Sequence, residues 1–160
     1  MRVVVLNQHY APNRSATAQL LTDLCEDLCE FGDQVTVCSA PLMQVQSVSA
    51  PAPSGAVVVR RVGIRPTAGK KTGRRLLTDI SYLASSSMHL GLEKAPDVVV
   101  ALSSPPMLGA AAGLVASLRG VPCVQWVHDI YPDIAIEAGV VASGGVMGRS
   151  LRHLSRWGYE

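Results

Sequence analysis

Residues 1–40 read "MRVVVLNQHYAPNRSATAQLLTDLCEDLCEFGDQVTVCSA", and the class of fold can be argued from this stretch. It opens with a β-branched run, residues 3–6, that does not alternate with polar residues. Such a run is typical of a strand covered on both faces of a parallel sheet. Apolar residues then recur at helical spacing from Leu20 to Phe31, and Gly32 stands where a helix C-cap glycine belongs. The run at 34–40 predicts a second strand.

The same alternation of strand and helix continues along the rest of the chain. The pattern predicts strands near residues 2–7, 34–39, 57–62, 97–102 and 122–127. Helices are predicted after the first strand, over 72–93, over 105–120 and from residue 144 onward, and the Pro- and Ser-rich segment 41–55 is predicted to be a surface loop. We therefore expect an α/β fold, a Rossmann-like, doubly wound and mostly parallel sheet with helices on both faces.

The composition fits one domain and excludes several classes of protein. Of the 160 residues 48% are apolar, which is enough for a sizeable core, and the net charge of +2 gives no indication of nucleic-acid binding. The longest apolar stretch, twelve residues at 107–118, is too short for a membrane-spanning helix, which needs about twenty. The N-terminal apolar run is too short for a signal peptide. The four cysteines form no zinc or C-x-x-C pattern, which favours reduced, structural thiols in the cytoplasm.

Polar residues follow three of the predicted strands. In doubly wound sheets ligands bind outside the carboxyl ends of the strands, so we expect a site at this edge. The residues concerned are Asn7, Gln8 and His9 after the first strand, Ser103 and Ser104 after the fourth, and His128 and Asp129 after the fifth. Each has an ordinary alternative: a hydrogen-bonding histidine, a turn-capping aspartate, and a helix N-cap at the serines.

The loop after the first strand lacks the usual nucleotide-binding patterns. No G-x-G-x-x-G and no G-x-x-x-x-G-K-[ST] occurs, which argues against a dinucleotide cofactor held at that turn. Small residues at 15–18 would instead let backbone N–H groups contact an anion at the start of the helix. The alternative is that Ser15 is an ordinary N-cap.

Two segments resemble family 4 glycosyltransferases. The first shows the family's Y-x-P loop as Tyr10-Ala11-Pro12 and its G-x-x-V-x-V segment at residues 32–37. The second, "WVHDIYPDIAIEAGVV" at 126–141, is similar to the family's H-D-x-x-P segment. The chain resembles most the bacterial branch that builds surface polysaccharides on a lipid carrier.

The resemblance implies the N-terminal, acceptor-side half of a two-domain GT-B enzyme, occupying residues 1–160. The half that holds most of the nucleotide-sugar donor is expected to be absent from this chain, which we expect to be a fragment rather than one half of a split enzyme, because its last helical pattern has no stop signal. The resemblance further implies retaining transfer to a glycan or lipid-linked acceptor, with no obligatory metal and no cofactor. The rival functions are a GT-B nucleotide-sugar 2-epimerase and a non-catalytic binding module or partner subunit.

By the same resemblance, His128 is expected to be the catalytic residue that faces the transferred sugar. The loop from His9 to Thr17 is expected to approach the donor diphosphate or the acceptor, with the charge of Arg14 replacing the glycines that many relatives carry there. The candidate substrate-binding residues are His9, Arg14, Ser15, Ala16, Thr17, Ser103, Ser104 and Asp129.

The segment "RPTAGKKTGRR" at 65–75 is strongly basic. Its residues Lys70, Lys71, Arg74 and Arg75 could meet an anionic inner-leaflet membrane or a lipid diphosphate, which would make the cytoplasmic protein peripheral at the inner membrane. The alternative is a solvated, flexible loop.

Overall fold

The computed structural model describes residues 1–42, 57–65, 72–105 and 107–128. Within these ranges strands and helices alternate as β1 (Arg2–Leu6), α1 (Ala16–Glu30), β2 (Gln34–Ser39), β3 (Val57–Arg61), α2 (Thr72–Leu92), β4 (Val98–Leu102), α3 (Leu108–Leu118) and β5 (Cys123–Trp126). All five predicted strands are confirmed, each to within one residue at either end. The predicted helix from residue 144 and nearly all of the predicted loop 41–55 lie outside the described residues.

The described strands form one sheet in the order β3-β2-β1-β4-β5, and every pairing in it is parallel. Val5 of β1, for example, pairs with Val37 of β2 on one side and with Val100 of β4 on the other. The order reverses between β1 and β4, which makes this the switch point where doubly wound sheets open a crevice at their carboxyl edge. The Rossmann-like fold class is confirmed.

The sheet carries apolar side chains on both faces, because successive residues of a strand point in opposite directions. On one face α1 contributes Leu21 and Cys25 to a core that includes Val5 and Val37. On the other face α2 and α3 pack over a second core, whose buried members include Leu6, Val99, Ala101, Tyr82, Leu90 and Ala112. Helices therefore cover both faces, as the absence of alternation in the strands predicts.

Tyr82 holds α2 on the sheet. Its side chain is fully buried, and its hydroxyl donates to the carbonyl oxygen of Cys38 at 2.8 Å. The same carbonyl accepts the backbone N–H of Asn7 at 3.2 Å. One oxygen at the end of β2 thus ties together α2 and the residue that follows β1.

All four cysteines lie in the described ranges and are free thiols. Burial raises the pKa of Cys25 and of Cys38 to about 12, and it raises the pKa of Cys123 as well. These three thiols therefore stay protonated at neutral pH and behave as small apolar side chains.

The two ends of α1 form as the sequence predicts. Ser15 adopts an extended conformation and its hydroxyl accepts the N–H of Ala18 at 3.3 Å, so the N-cap interpretation is confirmed. At the other end Gly32 has a φ of +89° and donates its N–H to the carbonyl of Cys29 at 2.9 Å. A left-handed residue at this position suits glycine.

Replacement of Ser15 by alanine is expected to lower the free energy of unfolding by about 1 kcal/mol, because one N–H at the start of α1 loses its acceptor. Urea denaturation of the two proteins would measure the difference. Ser15→Asp is the matched control and should keep nearly all of the stability, since a carboxylate also caps. An alanine variant as stable as the original would contradict the cap.

Candidate active site

The loop that follows β1, residues 7–14, is tied to both neighbouring strands; we call it the first loop. Gln8 donates its backbone N–H to the carbonyl of Ser104, after β4, at 3.1 Å. The Gln8 carbonyl accepts the N–H of Ala40, after β2, at 3.1 Å. These bonds fix the start of the first loop at the switch point of the sheet, where ligands bind in this class of fold.

Asn7 and Asn13 shape the first loop through their side-chain amides. Asn7 is fully buried, and its Nδ2 donates to the carbonyl of His9 at 2.6 Å. The Oδ1 of Asn13 accepts the backbone N–H of Ser15 at 2.9 Å, so the other end of that amide, Nδ2, is the donor. This Nδ2 lies 3.4 Å from Nδ1 of His9. The network therefore assigns the acceptor role to Nδ1 and the proton of the neutral ring to Nε2.

His9 is exposed at the rim of the site, and its pKa is lowered from the ordinary value. The largest cause is the loss of part of the water around the ring; the carboxylate of Asp79 acts in the opposite direction, and the guanidinium of Arg75 lowers the pKa further. The ring is therefore neutral at pH 7 and presents an N–H donor.

A cavity of about 310 Å³ opens between the first loop, the end of β3 and the N-terminal half of α2. We call it the first-loop cavity. Gln8 spans one side of it, where its Nε2 donates to Oδ1 of Asp79 at 2.8 Å. The cavity is lined by Gln8, His9, Tyr10, Asn13, Ala40, Pro41, Leu42, Arg61, Arg75, Thr78 and Asp79.

Arg61, the last residue of β3, joins three parts of the wall. Its Nη1 donates to Oγ of Ser39 at 2.8 Å and to the carbonyl of Ala40 at 3.4 Å, and its Nη2 donates to the carbonyl of Ala11 in the first loop. Partial burial lowers its pKa, but a guanidinium keeps its proton in proteins. All three acceptors are neutral oxygens, so these bonds position the charge without neutralising it.

His128 lies at the carboxyl edge of the sheet, two residues after β5, and its side chain is exposed. Its backbone N–H donates to Oγ of Ser103 at 3.2 Å, and its ring lies beside that of Trp126, with centroids 5.1 Å apart and a tilt of 33°. After β4, Ser103 therefore contacts His128, and Ser104 contacts Gln8 of the first loop. His128 is not among the residues that line the first-loop cavity.

The remaining candidates from the sequence fall in different places. Arg14, Ser15 and Ala16 are exposed and Thr17 is half-buried, all at the start of α1. Asp129, Lys70 and Lys71 lie outside the described residues. Arg74 and Arg75 belong to the first turn of α2, which agrees with the helix predicted over 72–93 and not with the alternative of a loop at these two residues; arginine and the leucines that follow are good helix formers.

Sequence reasoning missed two charged residues of the cavity, Arg61 and Asp79. The signal for Arg61 was the basic pair Arg60-Arg61 at the end of a buried-strand pattern. The signal for Asp79 was its position four residues after Arg75, which places the two charges on neighbouring turns of one helix face.

Two further properties of the described ranges bear on chemistry. No three His, Cys, Asp or Glu side chains there come close enough together to hold a metal ion. None of the helices there is long and apolar enough to span a bilayer.

Comparison with known proteins identifies one family and a set of similar structures. The sequence model of the family described as "Glycosyl transferase 4-like domain" matches residues 16–160. No curated protein matches the chain.

Among solved structures, the glycotransferase of kitacinnamycin is similar with a TM-score of 0.54 at 17% identity, over 93% of this chain and 37% of that one. Apo UGT2 of Phytolacca americana gives 0.53 at 15% identity, over 88% of this chain and 34% of that one. The C-terminal domain of the PF1911 hydrogenase of Pyrococcus furiosus gives 0.54 at 13% identity, over 78% and 90%. These similarities establish the fold alone, and the chain spans about a third of the length of the first two structures.

Proposed function

The chain belongs to the glycosyl transferase 4-like domain family, and from this membership we propose that it is the acceptor-side half of a glycosyltransferase that uses a nucleotide-sugar donor. The observation that carries the proposal is the family match over residues 16–160. The polar groups gathered at the carboxyl ends of β1, β4 and β5 support it, since a doubly wound sheet binds ligands there.

The proposed reaction places particular demands on these groups. Sugar transfer develops positive charge on the sugar ring and negative charge on the departing phosphate, so the site needs fixed hydrogen-bond partners more than a covalent nucleophile. We propose that the transfer is retaining and needs no metal. An imidazole such as that of His128 can contact a sugar hydroxyl with one nitrogen while a neighbour orients the other.

The proposed roles follow the positions of the residues. His128 is the catalytic residue that contacts the transferred sugar, supported by its exposed position at the carboxyl edge. His9, Arg14 and the N-terminal turn of α1, residues 15–17, approach the donor phosphates or the acceptor. Ser103 and Ser104, after β4, complete the substrate contacts of the described residues, and Asp129 is proposed from the sequence as a further substrate contact.

A lipid-linked acceptor and a peripheral position at the cytoplasmic face of the inner membrane are part of the proposal. Lys70, Lys71, Arg74 and Arg75 would contact anionic lipid or a lipid diphosphate. Leu76 and Leu77, next along α2, are 59% and 62% exposed, so apolar surface adjoins Arg74 and Arg75. Basic and apolar surface side by side is the combination that holds a helix at a membrane interface.

A transfer assay on the enzyme that contains this domain tests the proposal. Products should be analysed with and without an acceptor, for donors of several nucleotide-sugar types. A glycosylated acceptor supports the proposal. Release of a free epimerised sugar without any acceptor identifies a 2-epimerase instead, and the absence of any turnover, with retained ligand binding, identifies a binding module or partner subunit.

The 160 residues alone are expected to bind nucleotide-sugars only weakly, because most contacts to the donor are proposed to lie on another domain. Calorimetry with UDP-glucose and GDP-mannose checks this. Micromolar affinity for either compound, equivalent to about −8 kcal/mol, would contradict the placement of most donor contacts on another domain.

A further inference from the structure

The first-loop cavity carries more positive than negative charge. Among its lining residues, all of which are described, the guanidinium groups of Arg61 and Arg75 face a single carboxylate, that of Asp79. His9 is neutral at pH 7 because its pKa is lowered. The cavity therefore has a net charge of +1 before any ligand enters, which favours an anion.

Arg61 makes this charge available to a ligand. Its three hydrogen bonds go to neutral oxygens of Ser39, Ala40 and Ala11, which use three of the five donors of a guanidinium. The group is only partly exposed, so water screens its charge less than at an open surface. Its bonds to β2 and to the first loop also hold it in place without ligand, so little ordering is needed on binding.

The other groups around the cavity are mainly donors. His9 presents its Nε2–H, Gln8 and Asn13 each use one of two amide hydrogens in the bonds described above, and Arg75 is exposed at the mouth. Donors of this kind arranged around a fixed guanidinium suit the oxygens of a phosphate group. A volume of about 310 Å³ holds a phosphate together with a small part of the molecule that bears it.

We propose that the first-loop cavity binds a phosphate group of the acceptor, at a site separate from His128, with Arg61 and Arg75 as the cationic contacts and Asp79 as the group that limits affinity. That the phosphate belongs to an acceptor rests on the proposed function, whereas the phosphate site itself does not. Two sources share this chemistry, the phosphate headgroup of a lipid and the phosphate of a soluble sugar. Leu76, Leu77 and Ile80, which are 59%, 62% and 52% exposed on α2 beside Arg75, offer apolar surface to the first source.

The test measures binding of glycerol 3-phosphate to the 160-residue chain by calorimetry or by NMR titration. Arg75→Gln is expected to weaken binding about fivefold or more, because a cationic contact is lost. Arg60→Gln removes the same charge from an exposed residue of β3 that does not line the cavity, and is expected to change affinity by less than about twofold.

Asp79→Asn is the most informative variant, because it is expected to increase the affinity for phosphate. The amide oxygen of the new side chain can still accept from Gln8, while the negative charge is gone, so affinity is expected to rise about two- to fivefold. A structural role for Asp79 alone would leave affinity unchanged or lower it. The thermal midpoint of each variant is measured alongside, so that a loss of fold is not mistaken for a loss of binding.

Sulfate provides a second readout, since it stays a dianion while the pH is lowered far enough to protonate the His9 ring. A dianion beside the ring favours the imidazolium, so bound sulfate should raise the pKa of His9, and sulfate affinity should increase as the pH falls. NMR of the His9 ring follows both effects. A His9 pKa that is unchanged by saturating sulfate overturns the placement of the anion.

Vesicles separate the two sources of phosphate. Binding to vesicles of phosphatidylcholine with phosphatidic acid, weakened by Leu77→Gln while glycerol 3-phosphate binding is unchanged, identifies a lipid phosphate. Binding of glycerol 3-phosphate with no preference for these vesicles over phosphatidylcholine alone identifies a soluble one. The proposal is overturned if neither probe binds, if Asp79→Asn does not strengthen binding, or if Arg60→Gln weakens it as much as Arg75→Gln. None of these measurements involves sugar transfer, so the two proposals can fail separately. If the domain binds phosphate but the enzyme transfers no sugar, only the proposed function is refuted.

Discussion

Replacement of His128 by alanine in the active enzyme is expected to lower turnover by about ten- to thousand-fold while the domain stays folded. The proposed role is a hydrogen bond to the transferred sugar, and one positioned polar group commonly contributes on this scale. The bond from the backbone N–H to Ser103 does not depend on the side chain, and the ring is exposed, so the fold loses little.

Steady-state kinetics together with thermal unfolding would check this result. Val127→Ala, one residue earlier and also exposed, is the matched control and should keep its turnover. His128→Asn, which restores a neutral donor and acceptor, should recover part of the loss. Full turnover by His128→Ala would show that His128 is not a catalytic residue.

Replacement of Tyr82 by alanine is expected to lower the free energy of unfolding by about 3–5 kcal/mol, the usual cost of removing a large buried ring. The side chain is fully buried between α2 and the sheet. Since domains of this kind are stable by only about 5–15 kcal/mol, the variant should be close to unfolding.

Tyr82→Phe separates packing from hydrogen bonding. It keeps the ring and removes only the donor to Cys38, so it should cost about 1 kcal/mol. Urea denaturation of both variants gives the two values. If the alanine variant loses less than about 1 kcal/mol, α2 does not pack on β2 as described.

The sheet was predictable because each of its strands is signalled locally. A short β-branched run such as residues 3–6 leaves few alternatives once helical patterns flank it, and the N-cap at Ser15 and the glycine at position 32 mark the helix between. The carboxyl edge followed from the topology, which places the ends of parallel strands together whatever their sequence. His128 and the first loop could therefore be placed at that edge from sequence alone.

The first-loop cavity could not be predicted in the same way. Arg61 contributes to it only because its side chain reaches past β2 to the carbonyl of Ala11, fifty positions earlier in the chain. Asp79 contributes because packing turns one face of α2 toward Gln8. Neither contact leaves a periodic trace in the sequence.

The position of β3 has a consequence for the motions of the first loop. This strand is the outermost of the described sheet on its side, with β2 as its only partner strand there, and outer strands open locally before central ones. Since Arg61 at its end holds the Ala11 carbonyl, each opening of β3 also releases this contact with the first loop. Amide hydrogens of the two segments should then exchange with solvent in step, and a ligand that bridges Arg61 and the first loop should slow exchange in both.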